Sequence, residues 1–219
     1  LLTNNISIRV VKLKEKLRIL KESSSGLDAL DGAKPITSVF RGISTQTLKH
    51  FGAFDTDQVE QMLDRIVFPI TDVRGKTVAY VGRHSMSNGN PRYVNYPVGA
   101  SLPLFPAKFE EQHRTVVLVE GIFDMLNCYD KGLKNTVCTF GTSKLLNDVP
   151  TKLLSYKVMG VEKFFILYDG DIAGREAAKK IKPLIEEAGF LVEIIDLPEG
   201  QDPGTITQED VNSLIEYTK

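Results

Sequence analysis

Two short acidic motifs, each placed directly after an apolar run, constrain the fold of this chain more than any other feature. The first run, Val116–Val119, is followed by Glu120, and the second, Phe164–Tyr168, is followed by Asp169 and Asp171. Short apolar runs are typical of buried strands, and ligands bind beyond the carboxyl ends of the strands in an open parallel sheet. The sequence therefore predicts that three carboxylates meet at one sheet edge and hold a divalent cation, most simply Mg²⁺, that acts on phosphates.

The second half of the chain alternates between strand and helix patterns, which is typical of a parallel sheet with right-handed crossovers. Gly189 is expected to end the last long helix, because a glycine often stands just past a helix end. The expected fold class is α/β. Strands are predicted at 115–119, 135–138, 163–168 and 190–195, and helices at 122–131, at 144–159 in one or two pieces, and at 172–188.

The preceding residues, 35–110, predict a smaller mixed α+β subdomain. Helical patterns start near Ser44 and cover Asp57–Leu63. Residues 1–34 are interpreted as a linker or lead-in segment, and residues 205–219 as a carboxy-terminal tail helix. A small antiparallel sheet is predicted from strand patterns separated by turn residues, at 65–70, 77–82 and 92–96.

The distribution of charge favours a polyanion-binding surface, although the net charge of the chain is −1. Between Arg65 and Lys108 there are six basic residues and one acid, whereas the rest of the chain is acidic on balance. A locally basic surface binds a polyanion even on a neutral molecule, but an ordinary mixed, solvated surface is an equally open interpretation. No apolar run approaches the ~20 residues that span a bilayer, so no membrane partner is expected.

The Asp-Gly-Asp motif alone has other interpretations. Asp169 and Asp171 are compatible with a simple turn, because Asp and Gly are turn formers. A calcium loop is excluded, because Lys180 stands where that loop needs a bidentate Glu. An aspartyl-nucleophile phosphatase is disfavoured, because Ala173 stands where a hydroxyl residue is expected. The presence of Glu120 at a second strand end favours the metal site.

Further acidic and glycine positions are expected near the same edge. Asp124 lies one helical turn beyond Glu120, but it is equally typical of a carboxylate at a helix start. Gly121 permits the close approach of a ligand. Gly141-Thr142 opens a helix whose N–H groups suit a phosphate, or it forms a plain helix cap. Asp202 follows the fourth strand through a polar turn and is expected to reach the edge.

Taken in order, these motifs resemble a Toprim domain, the metal-binding module shared by bacterial-type primases, topoisomerases and related nucleases. The Toprim pattern is Glu120-Gly121 at one strand end and Asp169-Gly170-Asp171 after a later strand, followed by Ala173-Gly174. The upstream part resembles the amino-terminal subdomain of DnaG-type primases. That part carries Phe40-Arg41-Gly42-Ile43-Ser44 with Leu48, Arg65-Ile66-Val67-Phe68-Pro69-Ile70 with Asp72 and Gly75, Gly82-Arg83, and Pro91-Arg92-Tyr93-Val94-Asn95.

The resemblance implies a basic amino-terminal subdomain of the primase core at 35–110 and a Toprim domain at 111–204. One departure is Gly204, which stands where the family has the second acid of an Asp-Pro-Asp pattern. Five metal-binding acids are expected, the first three of them catalytic: Glu120, Asp169, Asp171, Asp124 and Asp202. The expected nucleotide- or template-binding residues are Arg83, Arg92, Asn95, Lys76, Tyr93, Gly121, Gly141 and Thr142.

The function implied by the resemblance is that of a DNA primase catalytic core, which joins ribonucleotides into short RNA primers on single-stranded DNA. The implied cofactor is Mg²⁺ or Mn²⁺, and the implied substrates are ribonucleoside triphosphates. A replicative helicase and a zinc-binding domain outside this chain are the implied partners. The expected location is the cytoplasm of a bacterial or phage-infected cell, because Cys128 and Cys138 show no metal-ligand spacing and fit a reducing compartment.

Two alternatives stay open. A Toprim nuclease would use the same metal to activate water, although the basic upstream subdomain argues against it. A non-catalytic module would bind single-stranded nucleic acid, and Gly204 gives that alternative modest support.

Overall fold

A computed structural model of the protein describes residues 26–146 and 148–219. Most of the predicted lead-in segment, 1–34, therefore lies outside the described residues. The described chain forms two sheets, a five-stranded one followed along the chain by a four-stranded one. This arrangement confirms the fold class, in which a parallel sheet flanked by helices follows a smaller mixed α+β subdomain. Within the described ranges, no helix is both long and apolar enough to cross a bilayer.

The amino-terminal subdomain is built on a five-stranded antiparallel sheet whose strands follow chain order. Its strands are β1 (Lys34–Pro35), β2 (Phe54–Asp55), β3 (Arg65–Thr71), β4 (Thr77–His84) and β5 (Tyr93–Tyr96). A short helix, α1 (Thr45–His50), begins after Ser44, as predicted. The Ser44 hydroxyl accepts a hydrogen bond from the Thr47 N–H at 3.2 Å, which satisfies one of the free donors at the helix start.

The carboxy-terminal part contains a four-stranded parallel sheet. Its strands are β6 (Thr115–Val119), β7 (Thr136–Cys138), β8 (Lys163–Ile166) and β9 (Leu191–Ile194). Its helices are α2 (Ile122–Asp130), α3 (Thr142–Leu146), α4 (Val149–Val158), α5 (Ile172–Glu187) and α6 (Gln208–Tyr217). The strand order is β7-β6-β8-β9, so the strands that precede the two acidic motifs are neighbours at the centre of the sheet.

Both faces of the central strands are buried, which explains their unbroken apolar runs. Along β6, Val117 and Val119 pack into a core with residues of α2. The intervening Val116 and Leu118 pack into a second core with residues of α4 and α5. Because successive side chains of a strand point to opposite faces, β6 contributes to both cores at once.

The first of these cores extends across both subdomains. Phe68 of β3 is fully buried and meets the ring of Phe123 of α2 edge-to-face, with 5.8 Å between the ring centroids. Phe40 contacts the same ring at 5.7 Å. Val81 of β4 joins the same cluster. The two sheets are thus held together by a continuous apolar core, which sets the relative orientation of the subdomains.

The prediction of a helix over Asp57–Leu63 is wrong. This stretch contains only a 3₁₀ turn, Glu60–Met62. Asp64 adopts a positive φ of 57°, which turns the chain directly into β3. Met62 is fully buried and packs with Val67 and other residues of a small core beneath the sheet. Burial of Met62 and the turn at Asp64 therefore replace a regular helix between β2 and β3.

Replacing Phe68 by alanine is expected to lower the free energy of unfolding by about 3–5 kcal/mol, because the change empties a buried aromatic site between the subdomains. Urea denaturation followed by circular dichroism and tyrosine fluorescence should show one transition shifted as a whole. Val73→Ala, at a half-exposed position in the β3–β4 turn, is the control and should stay within about 0.5 kcal/mol of the wild type. Two separate transitions, with only one shifted, would contradict a shared core.

Candidate nucleic-acid and metal site

The carboxyl edge of the parallel sheet forms one wall of a cleft of about 880 Å³ between the subdomains. Strands β6 and β8 end side by side, since Leu118 pairs with Ile166. Their carboxylates therefore emerge at the same edge. The acids that line the cleft are Glu120, Asp124, Asp169 and Asp202.

The position of Glu120 is fixed by hydrogen bonds to its backbone. Its carbonyl oxygen accepts hydrogen bonds from the Gly141 N–H at 3.1 Å and from the Thr139 hydroxyl at 3.3 Å. Both donors lie in the loop that follows β7. These contacts fix the end of β6 against the neighbouring loop, so the partly buried Glu120 side chain is directed into the cleft.

Asp124 combines the two interpretations left open by the sequence. Its Oδ2 accepts a hydrogen bond from the Gly121 N–H at 2.7 Å, as a carboxylate at a helix start does. It also lines the cleft. Burial raises the pKa of Asp124 to about 7; repulsion from Asp169, Asp202 and Glu120 adds to the effect, and the Gly121 N–H opposes it.

Asp202 reaches the cleft because its loop is tied to the Asp-Gly-Asp motif. The Gly170 N–H donates to the Gln201 carbonyl oxygen at 2.8 Å, and the Gly200 N–H donates back to the Gly170 carbonyl oxygen at 3.3 Å. A Cβ atom at Gly170 would lie 2.1 Å from the carbonyl oxygen of Pro198. Glycine is therefore required at position 170 for the loop to approach this closely.

Gly204 faces the same acids from the end of that loop. A Cβ atom there would lie 2.7 Å from Oδ1 of Asp124 and 3.0 Å from Oδ1 of Asp202. The position at which the family has a further acid is thus directed at the carboxylate cluster. In this chain the glycine adds no further carboxylate to the four that line the cleft.

Asp171 adjoins the cleft but does not line it. It is the cap of α5, and its Oδ1 accepts a hydrogen bond from the Gly174 N–H at 2.7 Å. The second carboxylate oxygen is not used by this cap. Burial and then the charge of Asp169 raise the pKa of Glu120, and the charge of Asp171 raises it further. Burial and then the charge of Asp202 raise the pKa of Asp169, and Asp171 again adds to the effect.

The donor chemistry of this edge fits a divalent cation. Carboxylate oxygens are the ligands that Mg²⁺ and Mn²⁺ prefer. Burial first, and then the negative charges of Asp169 and Asp171, raise the pKa of Glu120, so a cation would relieve an existing repulsion. Across residues 26–146 and 148–219, however, no three His, Cys, Asp or Glu side chains stand close enough to hold an ion without moving.

The opposite wall of the cleft is cationic and aromatic. Tyr93 and Asn95 of β5 pair with Arg83 and Val81 of β4 and face the same side of the sheet. Arg92, Tyr93 and Asn95 line the cleft. Arg83 lies buried below, with its guanidinium 5.0 Å from the centre of the Tyr93 ring.

The buried Arg83 guanidinium is only partly satisfied. Its Nε and Nη1 have no hydrogen-bond partner among the described residues. Burial lowers the pKa of Arg83, and the nearby Arg92 and Arg41 lower it further, while Tyr93 opposes this. Three cationic side chains are therefore gathered on this wall, as suits a polyanionic ligand.

The other predicted binding residues have different surroundings. Lys76 lies in the β3–β4 turn, at the opposite end of β4 from Arg83, and does not line the cleft. Gly121 and Gly141 do line it, but the Gly141 N–H is occupied by the Glu120 carbonyl oxygen. Thr142 is outside the lining, and its buried hydroxyl has no partner among the described residues.

Arg41 is a lining residue that the sequence analysis used only as part of a motif. It adopts a positive φ of 52°, followed by Gly42 at 81°, in a tight turn closed by Phe40 and Ile43. Its guanidinium lies 5.6 Å from the centre of the Phe123 ring. The Arg-Gly pair between two apolar residues is the sequence signal that could have indicated this turn. A two-residue hairpin turn typically has consecutive positive φ values, which glycine favours.

Two family models match the chain one after the other. Residues 32–101 match the family model described as the DNA primase catalytic core, N-terminal domain, and residues 117–207 match a Toprim-like model. A DNA primase of Aquifex aeolicus is 38% identical over 155 residues. The chain belongs to the DnaG-type primase family.

Two solved structures of primases share the fold. The crystal structure of the zinc-binding and RNA polymerase domains of the Aquifex aeolicus primase has a TM-score of 0.68 and 29% identity, and the match covers 82% of this chain and 54% of that one. A DnaG primase catalytic domain bound to single-stranded DNA has a TM-score of 0.62 and 21% identity, with 81% and 69% covered. The Aquifex aeolicus sequence match covers 67% of this DnaG-type chain but only 30% of the relative's length.

Gly170→Ala is expected to destabilise the protein by about 1–3 kcal/mol, because the new methyl group would overlap the Pro198 carbonyl oxygen, which is backbone and cannot rotate away. The measurement is urea denaturation at neutral pH. Glu199→Ala, an exposed change in the same loop, is the control and should leave the midpoint unchanged. Equal stability of Gly170→Ala and the wild type would show that the loop is not tied to the motif in this way.

Asp124→Asn keeps an oxygen that can accept from Gly121 but removes the charge. The pKa of Asp124 is about 7 in the folded chain, against an ordinary value of 3.8. Between these values the folded state retains a proton that the unfolded state releases, so this group costs stability as the pH rises from about 4 to about 7. In EDTA, the variant should therefore gain stability relative to the wild type between pH 5 and pH 8.

Urea denaturation at both pH values measures this difference. The exposed acid Glu187, at the end of α5, supplies the control variant Glu187→Gln, which should show no comparable change. If the stability difference between Asp124→Asn and the wild type is the same at pH 5 and pH 8, the carboxyl group does not carry the raised pKa.

Proposed function

We propose that this chain is the catalytic core of a DNA primase, which synthesises short RNA primers on a single-stranded DNA template by nucleotidyl transfer. The observation that carries the proposal is the cleft itself. One wall presents four carboxylates at the end of a parallel sheet, and the facing wall presents Arg41, Arg92, Tyr93 and Asn95. Template, nucleotide and cation each have a chemically matched surface there.

The acidic wall supports a role for Mg²⁺ or Mn²⁺. Glu120 and Asp169, with Asp171 beside them, would hold the cation, and Asp124 and Asp202 would complete the negative surface. Bound divalent ions supply charge stabilisation to the attacking and leaving oxygens of an in-line displacement. The Gly141 hydrogen bond fixes the backbone of Glu120, and the Gly170 hydrogen bonds fix the residue that follows Asp169, so the carboxylates would gather around the cation by side-chain rotation.

The basic wall supports the binding of phosphates and bases. Arg41 and Arg92 would neutralise phosphate groups of a nucleotide or of the template. Tyr93, which is 39% exposed, offers a ring face for stacking on a base, a contact that tolerates any sequence. Arg83 supports that ring from below, and because it is buried and does not line the cleft, its role would be to position Tyr93 rather than to contact a ligand directly.

The remaining components of the proposal come from the family. Single-stranded DNA is the partner expected at the basic wall, as one related primase domain of the same fold has been solved bound to it. A zinc-binding domain and a replicative helicase are proposed as partners outside this chain, since the related Aquifex aeolicus primase carries a zinc-binding domain beside its RNA polymerase domain. A bacterial or phage-infected cytoplasm is the proposed location, because the matched primase is bacterial.

The decisive experiment supplies single-stranded DNA, labelled ribonucleotides and Mg²⁺ or Mn²⁺, and resolves the products on a denaturing gel. Asp169→Asn and Glu120→Gln should each reduce short RNA products about 10²-fold or more, because each weakens the binding of the cation whose charge stabilises the transition state. They should also weaken Mn²⁺ binding, measured as free ion by electron paramagnetic resonance. Glu209→Gln, an exposed acid on α6, is the control and should behave as the wild type.

Other outcomes of the same assay assign the alternatives. Cleaved DNA without new RNA would assign the chain to the Toprim nucleases. Binding of the template with neither product would assign it to the non-catalytic modules. RNA synthesis that survives both carboxylate substitutions would exclude this edge as the catalytic centre.

A further inference from the structure

The basic wall depends on an attachment that lies outside the cleft. Arg41 projects from a turn of the amino-terminal subdomain, but the segment that carries it lies along α2 of the Toprim domain. Phe40 and Arg41 contact the Phe123 ring near the start of α2. Three residues after Arg41, Ser44 meets Asp130 at the end of the same helix.

The Ser44–Asp130 contact is a double hydrogen bond between residues 86 positions apart in the chain. The Ser44 N–H donates to Oδ2 of Asp130 at 3.2 Å. The Ser44 hydroxyl donates to Oδ1 of the same carboxylate. Both carboxylate oxygens are therefore used by one residue, a two-point contact that fixes the direction as well as the distance.

Only two residues, Gly42 and Ile43, separate Ser44 from Arg41. Phe40 and Ile43 exchange backbone hydrogen bonds at 3.3 and 3.0 Å, so the turn is closed and stiff. Ser44 follows Ile43 directly and is also the cap of α1. Movement of Ser44 is therefore transmitted to Arg41 without a flexible joint between them.

We propose that Asp130 is a positioning residue for ligand binding: it holds Ser44, and through the closed turn it holds the Arg41 guanidinium over the cleft. This inference rests on the proposed function only in assigning phosphate groups as the ligands of Arg41. The two walls of the cleft are then set at a fixed distance by a polar contact at their rear as well as by the apolar core.

Removal of charge and loss of positioning predict opposite changes in affinity, and this difference makes the proposal testable. Removing the negative charge of Asp130 would by simple electrostatics strengthen the binding of a polyanion. Loss of positioning would weaken it. The probe is a short, fluorescently labelled single-stranded oligodeoxynucleotide, titrated with the 219-residue chain at fixed salt and followed by fluorescence anisotropy.

Arg41→Ala should weaken binding of this probe about tenfold, the effect of losing a charge-assisted hydrogen bond. Asp130→Ala should weaken binding about three- to tenfold, although it makes the protein less acidic. The double variant should bind no more weakly than Arg41→Ala alone, because Asp130 acts through Arg41. Asp130→Asn, which keeps one acceptor oxygen for Ser44, should give an intermediate affinity.

Two control variants separate positioning from charge and from general stability. Glu111→Ala removes an exposed negative charge near the same junction and should leave binding equal or tighter. Tyr129→Phe removes the hydrogen bond that joins His50 to Tyr129 at 3.0 Å, at the far end of α1 from Arg41. That variant should change probe affinity less than twofold. Denaturation curves should show every variant fully folded under the binding conditions.

Binding by Asp130→Ala that equals or exceeds the wild type would overturn the proposal. A double variant whose fold-loss of affinity equals the product of the two single fold-losses would also overturn it, because that result shows that Asp130 and Arg41 act independently. If Arg41→Ala has no effect, both Arg41 as a phosphate ligand and Asp130 as its positioning residue are excluded. The primase assignment is judged separately, by RNA synthesis in the Asp169→Asn variant.

Discussion

The cleft depends on one constraint, which is that like charges are held together at the end of a parallel sheet. Leu118 and Ile166 are paired on neighbouring strands, so the residues that follow β6 and β8 share an edge whatever their charge. Burial and mutual repulsion raise the pKa of Glu120 and of Asp169, which shows that this edge carries an electrostatic cost. The two cores that cover the sheet faces supply the stability that offsets it.

That part of the site could be predicted because its determinants are local in sequence. An apolar run of strand length followed by an acid can be recognised in the sequence without any long-range information. Two such runs imply a common edge once the sheet is known to be parallel. The α5 helix is equally local: Asp171 caps its start and Gly189, at a φ of 89°, follows its end. Three strands of the antiparallel sheet, β3, β4 and β5, were predictable from their turns for the same reason, whereas the two-residue strands β1 and β2 carried no such pattern.

The remainder depends on contacts between distant segments. Asp202 was expected at the edge from its place after the fourth strand, but the backbone pairing of its loop with Gly170, which brings it to the cleft, has no signal in the sequence. Arg41 reaches the opposite wall because Ser44 is bonded to a residue 86 positions away. The predicted helix over Asp57–Leu63 was wrong because burial of Met62 and the turn at Asp64 outweigh local helical preference.

The two walls also explain why a net charge of −1 says little about the partners of this chain. The charges that matter are separated across the cleft, with arginines on one side and carboxylates on the other. A polyanion that approaches is attracted by the first wall and repelled by the second. In the proposed function a divalent cation reverses the second effect, so cation and nucleic acid favour each other's binding, and by thermodynamic linkage the coupling is the same in both directions. The acidic and basic walls thus form one binding surface, and its attraction for a polyanion depends on whether the cation is bound. The net charge of the chain does not describe this dependence.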